Sequence, residues 1–97
     1  MIYKIKDVTT KPANVKWFSH EYPELFEAIV DRNFRIAGMT TDTLFPDNNT
    51  IVKIYTFENE EAYNNFLNAE KDDEYEKARD IYNKENNVVN VREVTTE

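Results

Sequence analysis

The chain contains no cysteine, which excludes disulfides, thiolate nucleophiles and sulfur-ligated metals in one step. The fold has to hold by packing alone, and the absence suits a reducing compartment. A single glycine, Gly38, excludes the glycine-rich loops that cradle phosphates. A single histidine, His20, leaves one side chain whose ordinary pKa lies near neutrality. No run of residues is long and apolar enough to predict a membrane-spanning helix. The opening residues, Met1 to Asp7, carry neither a secretory apolar stretch nor a lipidation motif, so no membrane association and a cytoplasmic location are expected. Arginine is scarce, and the formal net charge is -7. Such a field repels phosphate backbones, so no nucleic acid is expected as a partner.

What is present suits one packed unit. The 97 residues match a single domain, 1–97, with one core. Six Phe, six Tyr and one Trp supply large apolar area from few positions. Residues 2 to 8, with Ile2, Tyr3, Ile5 and Val8, read as a first strand. Pro12 ends it and opens a connection. From Pro23, the positions Leu25, Phe26, Ile29 and Val30 recur at helical period, and the helix should end near Asn33, which tolerates the left-handed conformation. Arg35 to Phe45 reads as a second strand with Gly38 marking a bulge or close approach, and Pro46-Asp47-Asn48-Asn49 as a turn. Thr50 to Phe57 returns as a third strand. Asn59 is an N-cap for a helix carrying Ala62, Tyr63, Phe66 and Leu67. Lys71-Asp72-Asp73 interrupts that helix, after which Tyr75, Ala78, Ile81 and Tyr82 form another apolar stripe. Asn86-Asn87 stops it, Val88, Val89, Val91 and Val94 make a fourth strand, and Thr95 to Glu97 should fray.

The order strand, helix, strand, strand, helix, strand predicts an α+β class, ferredoxin-like βαββαβ antiparallel sheet with helices on one face. The other face decides the assembly. Along the third strand, Val52 and Ile54 lie on one side and Ile51, Lys53, Tyr55 and Phe57 on the other. The first strand sets Ile2 and Val8 against Tyr3 and Ile5. Large apolar groups on both faces predict a homodimer through the sheet face.

The stretch Thr50 to Leu67, TIVKIYTFENEEAYNNFL, resembles the strand-to-helix segment of the dimeric α+β barrel superfamily, which includes antibiotic-biosynthesis-monooxygenase-like and haem-degrading proteins. Phe57, Asn59, Glu60, Glu61, Ala62 and Phe66 stand in the roles of strand-ending aromatic, polar cap, acidic first turn and apolar stripe. The element order is also similar to that of small dimeric ferredoxin-like proteins for which no activity is implied. The resemblance implies, as one function, a cofactor-independent oxygenase or isomerase acting on a planar aromatic or quinone-like substrate. Residues 60 to 85 contain no histidine, so the iron ligand of haem-degrading relatives has no counterpart.

The residues themselves name no reaction. His20, with Trp17, Phe18 and Tyr22, lies in the long connection before the first helix. That segment reads either as a lid over a cleft between sheet and helices or as a plug of the core with His20 in solvent. As a lid it makes His20 the catalytic candidate, a proton acceptor, and Trp17, Phe18, Tyr22 and Tyr55 the ligand-binding candidates. The acids Glu70, Asp72, Asp73, Glu74 and Glu76 lack calcium-loop spacing and read as helix capping, so no metal and no cofactor is expected. Arg35 and Arg92 are read as pairing with nearby acids. The leading expectation is a homodimeric module for binding or interaction, with a small apolar ligand as its possible occupant. The oxygenase or isomerase is the alternative.

Overall fold

The computed structural model describes residues 2–97. The chain runs β1 (Tyr3–Thr10), α1 (Phe18–Glu21), α2 (Pro23–Phe34), β2 (Met39–Asp47), β3 (Thr50–Phe57), α3 (Glu60–Lys71), α4 (Glu74–Glu85) and β4 (Val89–Thr96). The four strands form one antiparallel sheet in the order β2-β3-β1-β4. This is the split βαβ arrangement predicted from the element order.

Local signals explain most of the boundaries. Pro23 opens α2 at a position whose N–H has no helical partner in any case. The Asn59 side chain accepts from the Ala62 N–H at 2.9 Å and caps α3. Asp73 caps α4, accepting from Tyr75 and Glu76, and so divides two helices where the acidic cluster stands. Asn87, at φ 59°, takes the left-handed conformation that ends α4.

Three boundaries depart from the sequence reading. Asn33 stays inside α2, which runs on to Phe34 and ends at Arg35 with right-handed geometry. The second strand starts at Met39 rather than Arg35, because residues 35–38 carry the chain from the helix layer to the sheet. Gly38 makes that passage at φ +78°, and a Cβ there would lie 3.3 Å from the Ala62 Cβ. It is therefore a close approach; the sheet's irregularity falls between Leu44 and Asp47, where Pro46 sits on an edge strand that can spare an N–H. Finally, Thr95 and Thr96 pair with Lys4 and Tyr3, and Glu97 exchanges backbone hydrogen bonds with Ile2, so the carboxyl end is tied into the sheet rather than frayed.

Strand register sorts the helix-covered face into rows. Met39, Phe57 and Tyr3 form one row, and Tyr55 and Ile5 stand in the next. With Ala62 and Phe66 of α3 packed over them, Ile5, Tyr55 and Phe57 make the core, and Tyr63 and Leu67 extend it. Phe66 is fully buried, with its ring 4.8 Å from Tyr55 and 5.4 Å from Phe57. The third row is different in kind. It places Thr43, Lys53, Asp7 and Arg92 side by side on the same face. The core therefore fills one end of the sheet and stops at a charged row.

Helix α4 covers this second end by packing on α2 and α1. Tyr82 turns to Phe18 and Tyr22 at ring distances of 5.6 and 5.8 Å, while Ile81 of the expected apolar stripe is exposed. An ionic clamp joins α4 to α2: Arg32 donates to Asp73 and Glu76, each at 2.9 Å, and Arg79 also pairs with Glu76. Burial pushes the Asp73 carboxyl up, but the Arg32 bond and two backbone N–H bonds outweigh it and hold the group below its ordinary value. A depressed carboxylate stabilises the fold above its unfolded pKa, about 4, and that contribution is lost as pH falls through the lowered folded value. Asp73→Asn should therefore lower the urea midpoint at neutral pH, with the gap to wild type closing in acid. An unchanged gap across that range would show that the Arg32–Asp73 charge pair contributes nothing.

Candidate functional site

The charged row opens into a cleft. Between the sheet and α1, α2, α3 and α4 lies a cavity of about 570 Å³. Its floor is Asp7, Thr9, Ile51, Lys53, Asn90 and Arg92, the helix-facing positions beyond the core, with Tyr55 at the core's edge. Its roof is Glu76, Arg79, Asp80 and Asn83, a polar set at the i, i+3, i+4, i+7 spacing of one helical face. Trp17, Phe18 and Phe26 form an aromatic wall. A second groove of about 580 Å³ lies beyond that wall, lined by His20, Thr43, Phe45, Asp47 and Asn48. Trp17, Ser19, Phe26, Ile51 and Lys53 border both spaces.

The connection that carries the wall is anchored along its length. The Lys11 N–H donates to the Asn49 carbonyl at 2.9 Å, and its ammonium to the Asn49 side chain at 3.1 Å. That ammonium lies 5.4 Å from the centre of the Trp17 ring. The Tyr82 hydroxyl donates to the Lys16 carbonyl at 2.6 Å. Phe18 is only 4% exposed and acts as a plug, whereas Trp17 is half-buried and faces the cavities. The segment thus packs inward through Phe18 and lines the cavities through Trp17. The short helix α1 within it was read as irregular chain.

Of the five residues singled out from the sequence, Trp17, Phe18 and Tyr55 line the larger cleft. His20 is exposed and borders the smaller groove, on the far side of Trp17. Tyr22 lines neither space; it is half-exposed and packs on Phe18 and Tyr82. The cleft also departs from the expected occupant, since its lining carries too many charges for a purely apolar ligand.

Those charges are mostly engaged with one another. Arg92 grips the buried Asp7 with two hydrogen bonds of 2.7 and 2.8 Å and reaches Glu70 of α3 at 2.8 and 3.1 Å. The hydrogen bonds to Asp7 push the Arg92 guanidinium up, further than burial pushes it down, so it stays charged. Glu76 is held between Arg32 and Arg79. Lys53 is the exception. Half-buried, with its ammonium 5.3 Å from the Phe26 ring centre, it makes no ion pair among the described residues. Burial, and then the Arg79 charge, push its pKa down, against a smaller opposing pull from Asp7. Burial also pushes the Tyr55 phenol up to about 12. Its hydroxyl has no hydrogen-bond partner among the described residues and is not sealed from the cavity.

The sequence did carry a signal for these residues. Asp7 follows Ile5 by two positions and Lys53 precedes Tyr55 by two, so each breaks the apolar alternation on the covered face at the same end of the sheet.

Comparison with known proteins bears on the fold. No family model matches the sequence, and no curated protein is detectably similar to it. Solved structures are. SnoaB, described as a cofactor-independent oxygenase from Streptomyces nogalater, superposes with a TM-score of 0.63 at 13% identity, over 99% of this chain and 92% of that one. A protein designated YJCS gives 0.58 at 14% identity, covering 100% and 99%. A putative antibiotic biosynthesis monooxygenase from Chloroflexus aurantiacus J-10-fl gives 0.53 at 10% identity, covering 100% and 95%. The fold is ferredoxin-like. It is the fold of the dimeric α+β barrel proteins that the Thr50–Leu67 segment resembles, and at these identities the likeness extends to architecture, not to activity. Among the described residues no helix is long and apolar enough to cross a membrane.

The Asp7–Arg92–Glu70 triad is the floor's structural element. Arg92→Met leaves the Asp7 carboxylate buried without its cation and should lower stability by about 3 kcal/mol in urea denaturation. The double variant Asp7→Asn, Arg92→Met should recover a large part of that loss. A single-variant loss like that of a surface pair, below about 1 kcal/mol, would contradict this role.

Proposed function

We propose that this chain is a homodimeric small-molecule binding protein whose ligand is a planar aromatic compound bearing a polar oxygen. The observation that carries the reading is the cleft beside the core, which sets an aromatic wall of Trp17, Phe18 and Phe26 near two polar groups, Lys53 without an ion pair and Tyr55 without a hydrogen bond from its hydroxyl among the described residues. A flat ring suits the wall. An oxygen on that ring would receive a hydrogen bond from the Tyr55 hydroxyl, which keeps its proton up to about pH 12. The cleft's volume is in the range of small-molecule sites.

Dimer formation through the open sheet face is supported by a row that crosses all four strands: Leu44, Val52, Val8 and Val91. Val89 and Ile54 flank it on the same face. Leu44 is 53% and Val91 62% exposed, an apolar band that water would otherwise cover. Away from this band the face turns charged and polar, through Asp42, Lys6 and Glu93 to Thr40, Thr56, Lys4 and Thr95.

A second reading, a cofactor-independent oxygenase or isomerase acting on a planar aromatic or quinone-like substrate, draws on the architecture shared with SnoaB. In that reading His20 takes the substrate's proton from the smaller groove, with Trp17 as the shared wall.

Titration with 2-naphthol should quench the fluorescence of Trp17, the only tryptophan. Tyr55→Phe should weaken that binding about tenfold through the lost hydrogen bond, and His20→Ala should leave it unchanged. Equal affinity in wild type and Tyr55→Phe would remove the proposed ligand geometry. Oxygen uptake with a dihydroxynaphthalene above the uncatalysed rate, abolished in His20→Ala, would favour the oxygenase instead. For the assembly, light scattering at micromolar concentration should give twice the chain mass, falling to the chain mass in Leu44→Glu, Val91→Glu. A wild-type monomer would exclude the sheet-face dimer.

A further inference from the structure

Lys53 stands out by what surrounds it. From β1 it faces Asp7, from α3 Glu70 and Lys71, from α4 Glu76, Arg79 and Asp80, and from β4 Arg92. On the groove side it faces His20 and, from β2, Asp47. Nearly every acid in this set is already committed. Asp7 and Glu70 belong to Arg92, and Glu76 to Arg32 and Arg79. Asp47 accepts from the Asn49 N–H and the Thr50 hydroxyl in the β2–β3 turn. Asp80 lines the same cleft but is exposed to water, and it makes no ion pair among the described residues. The amine is therefore half-buried with Arg79 near it and no ion pair among the described residues. Its burial and the Arg79 charge favour the neutral, nucleophilic form and outweigh the opposing pull of Asp7, while the Phe26 ring face, 5.3 Å away, favours the ammonium. Two residues along the same strand and face, the Tyr55 hydroxyl opens to the same cleft.

We propose that Lys53 is a covalent anchor of the cleft, condensing reversibly with the carbonyl carbon of a planar aromatic aldehyde or ketone to form an imine. This rests on the reading of the cleft as a small-molecule site and specifies its ligand class. The nitrogen lone pair attacks the carbonyl carbon while Tyr55 donates a hydrogen bond to the oxygen. One amine proton passes to that oxygen, giving the carbinolamine. The C–O bond then breaks as the C=N bond forms, and the oxygen leaves as water with the second amine proton. No oxidant, reductant or further reactant enters.

The test uses 2-hydroxy-1-naphthaldehyde, with borohydride to reduce any imine to a stable secondary amine and peptide mass spectrometry to locate it. At neutral pH, labelling of Lys53 should exceed that of the exposed lysines Lys77 and Lys84 severalfold. Its midpoint on a pH profile should lie below theirs, and 2-naphthol should protect it. Lys53→Arg should lose the adduct while keeping the wild-type circular dichroism spectrum and urea midpoint, which separates lost chemistry from lost folding. Even labelling of all lysines, or no Lys53 adduct while 2-naphthol still quenches Trp17, would overturn the anchor and leave the cleft reading standing. A selective Lys53 adduct that 2-naphthol neither prevents nor binds beside would instead sustain the reactive amine and overturn the aromatic-ligand reading. Failure of both the adduct and the quenching would overturn both.

Discussion

A helix whose inward face is charged cannot close on a sheet, and this constraint organises one half of the molecule. Glu76, Arg79, Asp80 and Asn83 face inward from α4, opposite Asp7, Lys53 and Arg92. Pressing the two layers together would strip water from all of these groups, at a cost that pairing recovers only in part. The helix α3 has the opposite character. Its Ala62 and Phe66 meet Ile5, Tyr55 and Phe57 without a charge between them, and there the layers close. The boundary between core and cleft is a change of row in the sheet, between Ile5–Tyr55 and Asp7–Lys53.

What keeps the open half from collapsing or swelling is a pair of arginines working from its two sides. Arg92 ties the sheet to α3 through Asp7 and Glu70, while Arg32 ties α2 to α4 through Asp73 and Glu76. Both have the planar fork that two carboxylates require, and lysine would not replace them. By consuming the local acids they also define what is left over. Among the described residues, Lys53 remains an amine without an ion pair, and Tyr55 a donor without an acceptor. The polar chemistry of the cleft is the remainder after the structural charges have been satisfied.

Much of the architecture was legible from short-range signals. Thr50 to Phe57 reads as a strand and is one, Asn59 caps the next helix, and the Lys71–Asp73 interruption separates α3 from α4. These depend on neighbours a few residues away. The misreadings share another origin. Tyr75, Ala78, Ile81 and Tyr82 do recur at helical spacing, yet it is the polar stripe of α4 that faces the cleft, because Phe18 and Tyr22 offer Tyr82 a site on the other side. Asn33 looks like a helix end, but Gly38 supplies the left-handed step five residues later. The site was legible in its aromatic half alone. Trp17, Phe18 and Tyr55 could be chosen by type, whereas Lys53, Asp7 and Arg92 acquire their meaning from register across three strands.

That register has a kinetic side. The partners in the Arg92–Asp7 pair lie 85 residues apart in sequence, and β1, in the middle of the sheet, takes one neighbour, β3, from the middle of the chain and the other, β4, from its far end. Helices and the β2–β3 hairpin can form from local contacts on fast timescales, but the β1–β4 pairing must wait for the longest loop in the molecule to close. Until β4 docks, Asp7 has no cation and no reason to leave water. Docking of β4 is what completes the cleft floor, so a partly folded chain that has already formed its aromatic core still lacks the cleft.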